Sequence, residues 1–174
     1  MNKTLSKDIK DLLIENNITL ELANLEQLND IYELYNERTN WFKEKNIKQW
    51  SRYIARHEKE FPIAISNQNY YVLKKDNRII AGFELSNDCG YFKDNGESLY
   101  LYKVVSKVGY SNIGTFIFAI CKDIAKNNNK KYLRLDCIKW NEKLNKLYEQ
   151  HGFKLVGCGK SDYEYCLREC NVYE

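Results

Sequence analysis

The feature that most limits the fold is a change of hydrophobic period along the chain. Tyr70 to Lys75, Arg78 to Ser86 and Ser98 to Ser106 (SLYLYKVVS) are rich in β-formers and bounded by turn or loop residues, which predicts three strands in succession. Asp76-Asn77, between the first two, is a two-residue hairpin signal. The polar stretch Asn87 to Glu97 reads as a loop. Beyond Ser106 the pattern alternates. Ile113, Phe116, Ile117, Ile120, Cys121 and Ile124 predict a helix, Lys131 to Ile138 a strand, and Asn141 to His151 a helix with Gly152 at its end. Strands near Phe153 to Val156 and Tyr163 to Arg168 close the chain. Ahead of Tyr70, Leu5, Ile9, Leu12 and Leu13 predict a helix over 4–15, and Ile18, Leu20 and Leu22 a strand. A helix capped by Asn24 then runs through Leu25 to Tyr35, and a third carries Ile47, Trp50 and Ile54 and ends at Pro62. The order helix, β, αα, βββ, α, β, α, ββ implies an α/β (α+β) fold with a mixed sheet and helices on both faces. A doubly wound Rossmann sheet is disfavoured, because the first half lacks strict β/α alternation and no G-x-G-x-x-G follows an early strand.

The 174 residues suit a single domain spanning 1–174, with 1–17 as a helical extension. A net charge of +3 gives no reason to expect nucleic acid as a partner, and the Lys126 to Lys131 cluster, diluted by asparagines, reads as a solvated turn. No apolar run approaches the roughly 20 residues that span a bilayer, so no membrane role is expected. The opening MNKTLSKDIKDLL lacks the apolar stretch of a secretory signal, which points to the cytoplasm. Six cysteines without a C-x-x-C pair, and only two histidines, offer no zinc spacing. Reduced thiols and no metal are therefore expected.

Two segments carry candidate chemistry. In Val104 to Thr115 a strand passes through a glycine-bearing loop into a helix, whose first turn offers unpaired N–H groups and the positive end of the dipole to an anion. Small residues at Ser111, Asn112 and Gly114 allow close approach to the backbone, although small residues also serve as ordinary caps. In the second segment, Asn141 opens a helix and Tyr148 lies two turns on, nearly on one side. Both can reach one ligand. Equally, Asn141 is a plain N-cap and Tyr148 a core tyrosine.

The strand–loop–helix 100–126, the strand 131–138 and the run Asn141…Tyr148…Gly152-Phe153 resemble the GNAT superfamily of N-acetyltransferases over roughly residues 18–169. Trp41 to Trp50 (WFKEKNIKQW) is similar to the second helix of bacterial members. The pyrophosphate loop departs from the family pattern Gln/Arg-x-x-Gly-x-Gly/Ala: in Gly109-Tyr110-Ser111-Asn112-Ile113-Gly114 only the last glycine agrees, and Asn112 replaces the middle one. Asn tolerates positive φ, so the loop shape is expected to persist.

The resemblance implies a GNAT-like fold with a mostly antiparallel central sheet, and transfer of an acetyl group from acetyl-CoA to a primary amine of a small molecule or peptide. It places oxyanion donors near Val104 and Val105 and the diphosphate at Tyr110, Ser111, Asn112, Ile113, Gly114 and Thr115. Asn141 would contact the pantetheine arm, and Tyr148 would protonate the departing thiolate. Relatives often carry a basic carboxylate on the fourth strand. The candidates here are Glu97 at its edge and Glu84 on the strand before, with a relayed water as the alternative. Trp41 and Trp50 fall where the acceptor site would be lined, or are core on packed helices. A catalytically silent acyl-CoA-binding module of the same fold is the rival reading, and the oligomeric state, monomer or homodimer, stays open.

Overall fold

A computed structural model describes residues 1–50, 53–93 and 95–174. Helix α1 (Lys7–Glu15) leads into β1 (Thr19–Leu22), a short 3-10 turn at Leu25–Gln27 and the long α2 (Leu28–Glu44). Two short helices follow, α3 (Tyr53–His57) and α4 (Glu60–Ser66). Then come β2 (Tyr70–Lys75), β3 (Arg78–Ser86), β4 (Ser98–Ser106), α5 (Ile113–Asn127), β5 (Tyr132–Ile138), α6 (Glu142–Gln150), β6 (Lys154–Lys160) and β7 (Glu164–Asn171). The seven strands form one sheet in the order β1-β2-β3-β4-β5-β7-β6. Pairings β1–β2, β2–β3, β5–β7 and β6–β7 are antiparallel, and β4–β5 is parallel. The mixed, mostly antiparallel sheet anticipated from the sequence is thus present. Runs of consecutive buried residues in β2 (Tyr70 to Leu73) and β3 (Ile80 to Phe83) show that both faces of these strands are covered.

The chain divides into two compact units. The first comprises Met1–Lys10, Leu85–Tyr102 and Thr115–Glu174; the second comprises Asp11–Glu84 and Lys103–Gly114. In the second, Ile31, Leu34 and Tyr35 of α2 pack with Phe61, Ala64 and Ile65 of α4, with Tyr70 and Val72 of β2, and with Val105 of β4. The β2–β3 turn works as its residues dictate, since Asp76 and Asn77 both take positive φ, 50° and 59°. In the first unit, the amide of Ser6 donates to Asp123 of α5 at 2.8 Å and that of Asn2 to Asn128 at 2.7 Å. The asparagines that close α5 thereby also hold the start of the chain.

Three expectations are corrected. Asn24 caps the 3-10 turn ahead of α2, in a reciprocal capping box with Gln27. Pro62 does not end a helix. It lies in the first turn of α4, where a missing N–H costs no helical hydrogen bond. Between α2 and α3, Asn46 and Trp50 adopt positive φ (56° and 61°), so Ile47 and Trp50 stand outside any helix.

Gly152 follows α6 at φ 84°, and a Cβ there would meet the Cys170 sulfur at 3.5 Å. Gly152→Ala is expected to cost about 1–2 kcal/mol, because an L-residue is strained in the left-handed region. Chemical denaturation of the two proteins reads the difference.

Candidate functional site

In the second unit the chemistry-bearing segment starts at Lys103, which takes φ 50° within β4 and so kinks the strand as a bulge does. Its carbonyl accepts a hydrogen bond from the Tyr35 hydroxyl, which also contacts the Tyr70 hydroxyl at 3.1 Å. Three residues along α2, Arg38 donates through Nε to the Ser106 carbonyl (3.0 Å) and through Nη2 to the Lys107 carbonyl (3.1 Å). The Lys103 ammonium sits 2.6 Å from Glu84 and 3.1 Å from Glu60. Burial alone would pull this ammonium below its ordinary pKa, but the two carboxylates outweigh burial and hold it above. Glu60 also meets His57 at 3.0 Å. Hydrogen bonds from His57 and Lys103 overcome the upward push of burial and keep the Glu60 carboxyl below its usual range.

Beyond Lys103, Val104 is half-buried and Val105 buried. The loop to α5 turns on positive φ at Gly109 (87°) and Asn112 (61°), so Asn112 supplies the conformation expected of it. Tyr110, Ser111 and Asn112 are exposed, Ile113 is buried, Gly114 is half-buried and Thr115 is exposed. A 15-residue helix thus opens under a solvent-facing loop of small and polar residues. Its unpaired first-turn amides and dipole suit an anion.

Trp41 and Trp50 belong to an aromatic cluster in this unit. Trp50 contacts Tyr35, Phe42 and Tyr53 with ring centroids 5.4, 5.3 and 5.0 Å away. Trp41 contacts Phe42 at 5.5 Å and carries the Arg38 guanidinium over its ring at 5.2 Å. Trp50 packs on the apolar core of the unit while remaining partly accessible.

In the first unit, Asn141 caps α6, its Oδ1 accepting the Leu144 amide at 3.0 Å. Tyr148 is 8% exposed, with its ring against Phe118 (5.7 Å) and Phe153 (5.8 Å). Burial, followed by the charges of Cys137 and Asp136, raises its pKa, and Tyr148 stays a neutral phenol. Glu97 is exposed just before β4, and its carbonyl accepts the amides of Lys131 and Tyr132.

Sequence reasoning missed two features here. One is Arg168, 3% exposed on β7, which donates to Asn145 Oδ1 (Nε 3.0 Å, Nη2 2.8 Å), to the Phe153 carbonyl (3.2 Å) and to Glu149 (2.9 Å). Asn145 spends its amide on the carbonyls of Asn141 (2.9 Å) and Ile138 (3.0 Å) and accepts from the Cys137 thiol. This network seats α6, and with it Tyr148, against β5 and β7. The available signal was strand phase, since Arg168 alternates in step with the buried Cys166 and Cys170. The second is Asp136 on β5, half-buried, whose carboxyl burial pushes upward while its own backbone amide partly offsets the push. Its charge also raises the pKa values of Tyr102 and Tyr163, after burial in each case. Among the described residues no group of three or more His, Cys, Asp or Glu could hold a metal ion, and no helix is long and apolar enough to cross a membrane.

No protein-family model and no curated protein matches the chain. Solved structures do. A GNAT-family acetyltransferase from Listeria monocytogenes superposes with a TM-score of 0.72 at 18% identity, over 88% of this chain and 94% of that one. One from Streptococcus agalactiae gives 0.71 at 13% identity, over 88% and 95%. The PaiA N-acetyltransferase of Thermoplasma acidophilum, in complex with coenzyme A, gives 0.67 at 20% identity, over 88% and 98%. The chain therefore has the fold of the GNAT acetyltransferases.

Arg168→Met removes charge-assisted hydrogen bonds from a buried amide oxygen and a carbonyl. It is expected to lose about 1.5–3 kcal/mol of stability, measured by urea unfolding.

Proposed function

We propose that the protein is an acetyl-CoA-dependent N-acetyltransferase acting on a primary amine of a small molecule or peptide, with both substrates bound together. The observation that carries the reading is the strand–loop–helix of β4 and α5, with Gly109 and Asn112 turned to positive φ below an exposed helix start, in a fold whose solved examples include a coenzyme A complex. Acetyl-CoA supplies the activated acetyl group as a thioester. Ser111, Asn112 and Thr115 with the first amides of α5 would hold its diphosphate, and their exposure fits that role. Main-chain N–H groups at Val104 and Val105 would face the developing oxyanion.

Proton handling falls to the first unit. Tyr148, carried on α6, keeps its proton because burial raises its pKa, and it would serve as the donor to a departing thiolate. For the base we choose Asp136 over Glu84 and Glu97. The Glu84 carboxylate is engaged in an ion pair with Lys103 at 2.6 Å, and Glu97 is exposed. Asp136 is half-buried, its carboxyl is pushed up by burial, and it forms no ion pair among the described residues. A base must be deprotonated to act, so activity should fall as pH drops through the raised carboxyl range. Trp41, Trp50 and their aromatic neighbours would line the acceptor side and exclude water.

Tyr148→Phe is expected to lower kcat by about 10²–10⁴-fold while leaving acetyl-CoA affinity unchanged. Thiol release against an amine panel, with titration calorimetry alongside, measures both. Binding without turnover on any amine would favour the silent module. Asp136→Asn is expected to lower kcat/KM over a similar range and to abolish the acidic limb of the pH profile. A limb that persists unchanged returns the role to a relayed water.

A further inference from the structure

Cys158 and Cys166 lie directly opposite each other on the antiparallel strands β6 and β7, with their sulfurs 3.9 Å apart. The position of this pair in the ladder follows from two hydrogen bonds. Near the turn, the Ser161 amide donates to the Tyr163 carbonyl at 3.0 Å; counting alternate pairs inward from there makes Cys158–Cys166 a non-hydrogen-bonded pair. On the other side of β7, the Lys139 amide donates to the Glu164 carbonyl at 3.0 Å. That bond makes Glu164, and in phase with it Cys166, hydrogen-bonded toward β5 and non-bonded toward β6. Opposed side chains stand closest at non-hydrogen-bonded pairs, with Cα atoms about 4.5 Å apart, inside the span a disulfide bridges.

The flanking residues leave this face clear. Gly157 and Gly159 lie beneath Leu167 and Tyr165 of β7, so the bulk of the neighbouring strand covers the glycines while the two sulfurs meet on the opposite side. Exposure is divided between the partners: Cys158 is exposed and Cys166 is buried. Cys137 is also opposite Cys166, on β5, but that pair is of the hydrogen-bonded, more widely spaced kind. The Cys137 thiol is moreover occupied by Asn145, and burial pushes it up to about 11.

We propose that Cys158 and Cys166 form a thiol–disulfide modification site for a low-molecular-weight disulfide of the glutathione type. The exposed Cys158 thiolate attacks one sulfur of the reagent, forming a mixed disulfide and expelling one thiolate. Cys166, deprotonated, then attacks the Cys158 sulfur and expels the second. Two protein thiols and one small disulfide become one protein disulfide and two small thiols, and electrons and protons balance. The bond fastens β6, the last strand of the sheet, to β7. Burial raises the Cys166 pKa, so the second step should quicken as pH rises. The site is independent of the acetyl-transfer reading.

The test uses the full chain, reduced, then incubated with glutathione disulfide and alkylated. Of six thiols, two per chain are expected to disappear, and dithiothreitol should restore them. Trypsin should release Leu155 to Lys160 joined to Ser161 to Arg168. In Cys158→Ser, an exposed change that spares the core, the remaining five thiols should all survive. The proposal is overturned if no thiol is lost, if glutathione stays on Cys158 with Cys166 free, if Cys137 is the partner found, or if the product is a Cys158-linked dimer.

Discussion

Side chains of α2 hold the carbonyls of Lys103 and Ser106 in β4 and of Lys107 just beyond it, and the candidate cofactor segment depends on this. A left-handed residue inside a strand interrupts its ladder, and buried main-chain groups that lose their partners are costly. At Lys103 the cost is offset from α2. Tyr35 donates to the Lys103 carbonyl, and Arg38, three residues on and therefore on the same helical face, takes the carbonyls of Ser106 and Lys107. The Lys103 side chain is fixed as well, between Glu84 and Glu60. Main chain and side chain are thus held at one kinked residue. The strand accordingly ends at a defined place, and the turn at Gly109 and Asn112 follows from it.

Much of the architecture was legible because local chemistry and burial agreed. The strands at Tyr70–Lys75, Arg78–Ser86 and Ser98–Ser106 match the sequence reading residue for residue, since period two and the turn residues between them allow little else. The stretch from Trp41 to Ser66 was read less well. Its aromatics recur at helical spacing, yet Asn46 and Trp50 break the helix with positive φ, and Pro62 opens a helix where it was expected to close one. A proline at a boundary does not say on which side the helix lies. Asn112 could be read correctly because its type tolerates the conformation that the loop needs.

The site was legible in part only. Asn141 as a helix cap and Tyr148 on the following turns could be placed from spacing. The Arg168–Asn145 pair could not, because it joins a strand and a helix 23 residues apart and nothing local demands it. Asp136 was passed over for a different reason. A carboxylate on a strand reads as solvated until a fold shows it half-buried. Burial converts such a group from an ordinary surface charge into one that holds its proton more tightly.

Burial acts with opposite consequences on the two groups proposed to handle protons. It raises the carboxyl pKa of Asp136, which makes its carboxylate a stronger base. It also raises the phenol of Tyr148, which makes that group a poorer acid. Against a thiolate of reference pKa near 8.5, a phenol above its usual value of about 10 gives up its proton uphill, at about 1.4 kcal/mol for each unit of mismatch. Transfer concerted with cleavage of the carbon–sulfur bond avoids forming a free tyrosinate, and so avoids much of that gradient. The chain supplies a second relief. The charge of Arg168 lowers the Tyr148 pKa against the upward push of burial, Cys137 and Asp136. If Tyr148 is the proton donor proposed, the guanidinium that seats α6 through Asn145 and Glu149 would also ease the proton off the phenol that α6 carries. Removing the charge would therefore act on both, loosening the seat of α6 and withdrawing the downward pull on the phenol.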